Sequence, residues 1–256
     1  TEWLNWLNGA IVAMKLAVAA GYPGLEQTAW SRIMLAGLYE NTGHTDSAEY
    51  QYRIALAERP DYPYAIAGLG RAAKSRGDYK TAIAQYNKAK EVILEVAFDD
   101  ELTDLYLLNG EKAKAEESAT KVIELLGPGS GDEGEEGHGH YADKELAYAY
   151  LKTGDNNKAL EHALKEFERR PDNIDVLEVV AWVRYKRGEF AEASKLITKA
   201  MRTKSQHPVL LCRAGLIKIK AGDKEAGAAL VKKAVEINPF IEPGLKKEAL
   251  PYLSGN

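Results

Sequence analysis

Two histidines one residue apart, His138 and His140, close a stretch that reads GPGSGDEGEEGHGHY over residues 127–141. With Glu135, Glu136 and Asp143 they supply the nitrogen and oxygen donors that suit zinc or nickel. The six glycines of the stretch preorganise none of them. An EF-hand frame set on Asp132 fails, because Gly134 falls at the third ligand position and Asp143 replaces the bidentate glutamate at the twelfth. Glycine, serine and acids with few apolar residues cannot pack, so the stretch reads first as a solvated linker. A metal site on His138, His140 and Asp143, a partner contact and a hinge are the alternatives.

No other stretch carries the spacing of a reaction centre. The chain has no G-x-x-x-x-G-K-[ST], no G-x-S-x-G and no H-E-x-x-H. His44, His162 and His207 are scattered, and Cys212 has no histidine near it in the repeat register described below. A structural thiol is the expectation for Cys212, since a reactive one needs an electropositive setting. One cysteine also excludes an internal disulfide and any multi-cysteine cluster. The expected protein is not an enzyme and needs no cofactor.

Composition limits the partners. Of 256 residues, 45% are hydrophobic and 28% charged, enough for a sizeable core under a soluble surface. The net charge is −4, and Asp132, Glu133, Glu135 and Glu136 alone account for it. A nucleic-acid binder usually carries a basic footprint, so none is expected here. The apolar runs fall short of the roughly 18–20 residues of a membrane span. The chain begins with Thr1, and no basic segment precedes the apolar run at 11–20, so no signal peptide is read. Compartment, cytoplasmic or exported, and oligomeric state stay open.

The elements that position any site are set by an internal period. Glycines recur at Gly43, Gly77, Gly110, Gly154, Gly188 and Gly222, with spacings of 34, 33, 44, 34 and 34. Five residues after each stands an alanine, or Gly227 in the sixth copy. The copy at 29–62 carries Leu35, Ala36, Tyr39, Gly43, Ala48, Tyr52, Ala55 and Pro60. The copy at 140–173 carries Leu146, Ala147, Tyr150, Gly154, Ala159, Ala163 and Pro171. Small residues let two helices approach, tyrosines fill the gap between neighbours, and glycine closes the first helix of each pair in the left-handed conformation. Asp78, Asp155 and Asp223 suit the start of the next helix.

This pattern resembles the tetratricopeptide repeat, in the manner of long bacterial multi-repeat proteins, over nearly the whole chain. The resemblance implies an all-α, right-handed α-solenoid of helix–turn–helix repeats. The copies run at 29–62, 63–96, 96–129, 140–173, 174–207 and 208–241, the third degenerate with Thr103 at the small position. Residues 1–28 read as the second helix of a truncated repeat plus a junction, from a fragment or an unusual cap, with Trp3 and Trp6 near an end. Residues 127–141 are an insertion, and 242–256 a closing helix and tail, with Lys246, Lys247 and Glu248 on a polar face.

The resemblance also implies a concave groove that binds a protein or peptide. Carried over by repeat position, its lining includes the aromatics Trp30, Tyr64, Tyr148, Trp182 and Tyr185. Its charged positions include Arg71, Lys74, Lys144 and Arg213, with Asp100 and Asp104 as the acids. The two-carboxylate clamp of the chaperone-binding branch is absent: Ile33, Gly37, Ala67, Arg71, Asp100 and Asp104 hold its positions. The alternative function is a metal- or ligand-responsive accessory subunit working through residues 127–143.

Overall fold

The computed structural model describes residues 2–127 and 142–253, with side chains from residue 7 onward. His138, His140 and the rest of 128–141 lie outside the described residues, as do the Trp3 and Trp6 side chains. Fourteen α-helices and no strand occur among the described residues. After α1 (Glu2–Ala20) they come in pairs: α2 (Glu26–Glu40) with α3 (Thr45–Glu58), α4 (Pro63–Ser75) with α5 (Tyr79–Val92), and α6 (Val96–Leu108) with α7 (Lys112–Leu126). Beyond residue 141 the pairs are α8 (Asp143–Thr153) with α9 (Asn156–Arg169), α10 (Ile174–Lys186) with α11 (Phe190–Ala200), and α12 (Pro208–Lys220) with α13 (Lys224–Ile237). The short α14 (Pro243–Ala249) follows and packs on α12.

The turn chemistry fits the backbone. All six turn glycines have φ between 72° and 105°, where a side chain would strain the chain. Asp78 and Asp155 then accept from the amides of Thr81 and Lys158 at 3.1 and 3.0 Å, capping α5 and α9. Asp223 makes no such cap; it faces Lys218 at 3.7 Å.

Side-chain volume sets how the pairs stack. Tyr52 and Tyr86 are fully buried in the N-terminal half, where a Cβ on Gly68 or Gly70 would sit 2.5 or 2.9 Å from their rings. In α12 and α13 the tyrosine is missing and the helices close in further. A Cβ on Gly215 would lie 2.6 Å from the Gly227 carbonyl oxygen, and one on Gly227 equally close to that of Gly215. The degenerate third repeat uses hydroxyls instead: Thr103 and Ser118 both donate to the Asp99 carbonyl, at 3.0 and 2.9 Å. Stacking brings α8, α10, α12 and α14 into one wall, with α6 against α8, and no repeat buries its apolar face alone. This is an all-α solenoid.

Candidate functional site

The first helices of each pair carry the groove residues. On α6, Asp100 and Asp104 stand one turn apart, and Lys152 from α8 reaches both. Its ammonium lies 2.7 Å from Asp100 Oδ1, 3.0 Å from the Asp100 carbonyl and 3.0 Å from Asp104 Oδ2. On the neighbouring wall, Arg213 of α12 lies between Tyr148 of α8 and Trp182 of α10, its guanidinium 5.1 and 5.2 Å from their ring centres. It donates to the Tyr148 hydroxyl at 2.8 Å and to Glu178 at 3.0 Å. Trp182 stacks on Tyr185 at 4.8 Å, and Lys186 covers Trp182 at 4.7 Å. Aromatic faces alternate here with cations, an arrangement that holds both in place.

These residues, with α14, surround a cavity of about 720 Å³. Among the described residues, apolar patches from Val96, Leu107, Leu151 and Leu245 share its lining with seven carboxylates and three cations. All three cations are engaged: Lys152 by α6, Arg213 by Glu178, Lys186 by Glu248. Among the described residues, Glu95, Glu145 and Glu242 hold no such close cation from across the cavity: Glu145 meets its neighbour Lys144 at 3.3 Å, and Glu242 lies 4.0 Å from Arg213. The electrostatics follow. Burial, with Asp104 and Glu101 adding repulsion, raises the Asp100 carboxyl above the ordinary range despite Lys152. Burial likewise raises Glu178 against the pull of Arg213. Burial would raise Glu101 too, but Lys74 at 2.8 Å outweighs it and holds that carboxyl low.

The expected groove residues therefore divide. Asp100, Asp104, Tyr148, Trp182 and Arg213 line the 720 Å³ cavity. Arg71 and Lys74 line a second cavity of about 430 Å³, where Arg71 binds the Glu40 carboxylate at 3.0 Å and the Tyr52 hydroxyl at 2.7 Å. Trp30 and Tyr64 meet edge to face at 5.5 Å, and Tyr64 continues to Phe98, away from both cavities. Tyr185 reaches Glu248, its hydroxyl donating at 3.3 Å. Sequence reasoning missed the acids Glu95, Glu145 and Glu242. Repeat position marks which residues stand on a first helix, but Glu95 and Glu242 precede α6 and α14 at their N-caps. Glu248, read as part of a polar outer face, points instead to Tyr185 and Lys186.

Asp143, offered as a metal ligand, lies in a different cluster. Its oxygens accept from His162 Nδ1 at 2.6 Å and from Arg169 at 2.5 Å. Arg169 and Arg170 also bind Glu166, whose residue is 1% exposed. Among the described residues no group of three or more His, Cys, Asp or Glu could hold a metal ion. Burial would raise the Asp143 and Glu166 carboxyls, but His162, Arg169 and Arg170 outweigh it and hold both below the ordinary range. Their folded pKa lies below the unfolded value, so the stability they add is present above the ordinary carboxylate range and lost as pH falls through it. Glu166→Gln is expected to cost about 2 kcal/mol at pH 7. Urea titrations from pH 7 to 3 should show that cost shrinking; a constant cost would remove ionisation as its source. Cys212 is fully buried, and burial pushes its thiol up to about 12, so it is neutral at physiological pH.

Helix pairs stacked into a solenoid with a lined concave cavity define a helical-repeat protein. Residues 33–92 and 209–240 match family models of the tetratricopeptide repeat, so the chain carries tetratricopeptide repeats. No curated protein matches it. Among solved structures it is similar to a tetratricopeptide repeat protein from Parabacteroides merdae, at 19% identity and a TM-score of 0.57 over 97% of this chain and 93% of that one. It is also similar to a chain of the APC/C hetero-tetramer Cut9–Hcn1, at 13% identity and a TM-score of 0.55, over 97% of this chain and 46% of that one. PilW, a type IV pilus biogenesis factor, matches at 15% identity and a TM-score of 0.50, over 90% of this chain and all of the other. These likenesses are likenesses of fold. No helix among the described residues is long and apolar enough to cross a membrane.

Proposed function

We propose that the chain is a non-catalytic protein-interaction scaffold that holds a basic, partly apolar segment of a partner protein in the 720 Å³ concave cavity. The observation that carries this reading is the charge of the lining. Seven carboxylates face three cations, and each cation is already engaged from within. A lysine or arginine side chain entering beside Glu145 and Glu242 gains attraction while the ion pairs of Lys152, Lys186 and Arg213 with Asp100, Glu248 and Glu178 stay intact, and Leu107, Leu151 and Leu245 take apolar neighbours. An acidic segment meets uncompensated carboxylates instead, and such like-charge contact selects against it. The repeat family, and a fold shared with a chain of the Cut9–Hcn1 hetero-tetramer, support the scaffold role.

The test is fluorescence anisotropy with two labelled peptides of equal length, one alternating lysine and leucine, the other glutamate and leucine. The basic peptide is expected to bind at least roughly tenfold tighter, with an advantage that shrinks as salt rises. Glu145→Lys/Glu242→Lys replaces two half-exposed side chains and should abolish that preference while leaving the helical signal unchanged. Equal binding of both peptides, or a preference that survives the charge reversal, would reject the cavity as the site.

A further inference from the structure

The two ends of the solenoid touch. Asn238, just after α13, is 198 residues from Glu40 at the end of α2, yet its Nδ2 donates to the Glu40 carbonyl at 3.0 Å. That carbonyl belongs to the last turn of α2, where helical partners run out, and it also accepts from the Gly43 amide at 3.0 Å. The other end of the Asn238 amide is fixed, its Oδ1 accepting from the Phe240 amide at 2.8 Å. Pro239 lies directly on the turn that follows α2: a Cβ on Gly43 would be 2.8 Å from Pro239 Cδ.

This contact borders the groove. Residues 238–243 line the 430 Å³ cavity together with Glu40, Thr45, Arg71 and Lys74 from the first repeats. Glu101 and Glu242 line both cavities, so the segment that follows α13 runs between them. Among the described residues, the Asn238–Glu40 bond is the one hydrogen bond joining the first two helix pairs to the segment after α13. One such bond is weak against the flexing of an array whose repeats contact only their neighbours.

We infer that Asn238–Pro239 is a latch on Glu40–Gly43 that closes the solenoid into a ring, and that release of this latch admits the partner segment to the concave cavities. The second half rests on the cavity reading; the first half does not. A protein whose binding-competent form is only partly populated binds more slowly and weakly by that fraction, and unlatching removes the deficit.

Two substitutions open the latch by different routes. Asn238→Asp keeps the acceptor for the Phe240 amide but sets an oxygen against the Glu40 carbonyl. Gly43→Ala drives a methyl into Pro239. Gly77→Ala is the control, because Gly77 has nearly the same φ, 79° against 72°, and nothing within 4 Å of its Cβ position. It carries the backbone strain without the collision. Spin labels at Tyr50→Cys and Lys233→Cys, in the otherwise full chain with Cys212 buried, report the distance between the ends by pulsed electron resonance. Asn238→Asp and Gly43→Ala are expected to move a large share of the population to longer distance, and Gly77→Ala to match the parent. Distributions that superimpose for all four proteins would overturn the latch. The association rate of the lysine–leucine peptide should then rise roughly three- to tenfold in Asn238→Asp. An unchanged rate with a shifted distance would overturn gating. The distances need no ligand, so failure of the cavity reading would appear as absent binding in every variant, with the latch judged by the distances alone.

Discussion

Gly215→Ala is expected to destabilise the protein by about 3 kcal/mol, more than substitution at most surface positions. The new methyl meets the Val231 side chain, whose Cγ2 would lie 2.7 Å away, and also backbone, which no side-chain rotation can move aside. Its carbon would lie 2.6 Å from the Gly227 carbonyl oxygen and 2.9 Å from the Val231 amide nitrogen. Relief requires α12 and α13 to separate, and Ile217, Val231 and Ala234, all fully buried, lose contact when they do. Because repeats are stabilised by their neighbours, the loss should appear first in the C-terminal half, as faster hydrogen exchange over 208–237. Gly37→Ala is the counterpart. Gly37 lies within α2 with nothing within 4 Å of its Cβ position, so alanine should add about 0.5–1 kcal/mol through helix propensity. Urea unfolding of the two variants should move the midpoint in opposite directions. Equal shifts would mean that the close approach of α12 and α13 contributes nothing.

Arg213→Ala should cost a similar amount, about 3 kcal/mol, for a different reason. Arg213 packs between two aromatic rings and is the close cation of Glu178, whose side chain is 17% exposed. Truncation leaves that carboxylate desolvated and opens the aromatic column. Arg213→Lys keeps the charge but loses the flat stack and the second hydrogen bond, and should cost about 1–2 kcal/mol. Adding Glu178→Gln to Arg213→Ala should restore part of the loss, since the stranded charge is gone. The pH dependence gives the sign. Burial already sets the Glu178 carboxyl above its unfolded value, and loss of Arg213 raises it further. An acid with a raised folded pKa opposes folding when ionised, so the Arg213→Ala variant should recover stability relative to the parent as pH falls from 7 to 5. A penalty that stays constant over this range would place the cost in lost packing alone.

Repeat position carried much of the wall. Asp100, Asp104, Tyr148, Trp182 and Arg213 were expected from it, and they line one cavity, because residues that recur at a fixed place in the helix pair are carried to one surface when the pairs stack. What they touch there was not legible. Lys152 spans from α8 to α6, and the insertion between those helices removes the constant spacing from which a sequence pairs one repeat with the next. Arg71 and Lys74, expected among the charged groove positions, are bound by Glu40 and Glu101 from the neighbouring first helices. Asp143, grouped with His138 and His140 by proximity in sequence, is turned toward α9.

The helix pairs, their turns and their order can be read along the chain. Those follow from local chemistry: glycine accepts positive φ, aspartate caps, and alanine allows close approach within about 34 residues. The charge left over in the cavity and the meeting of Asn238 with Glu40 arise from the stacking of the pairs. Both depend on the summed rotation of every repeat between the ends. Small angles that no single repeat encodes add up along the array, and their sum decides which distant residues face one another.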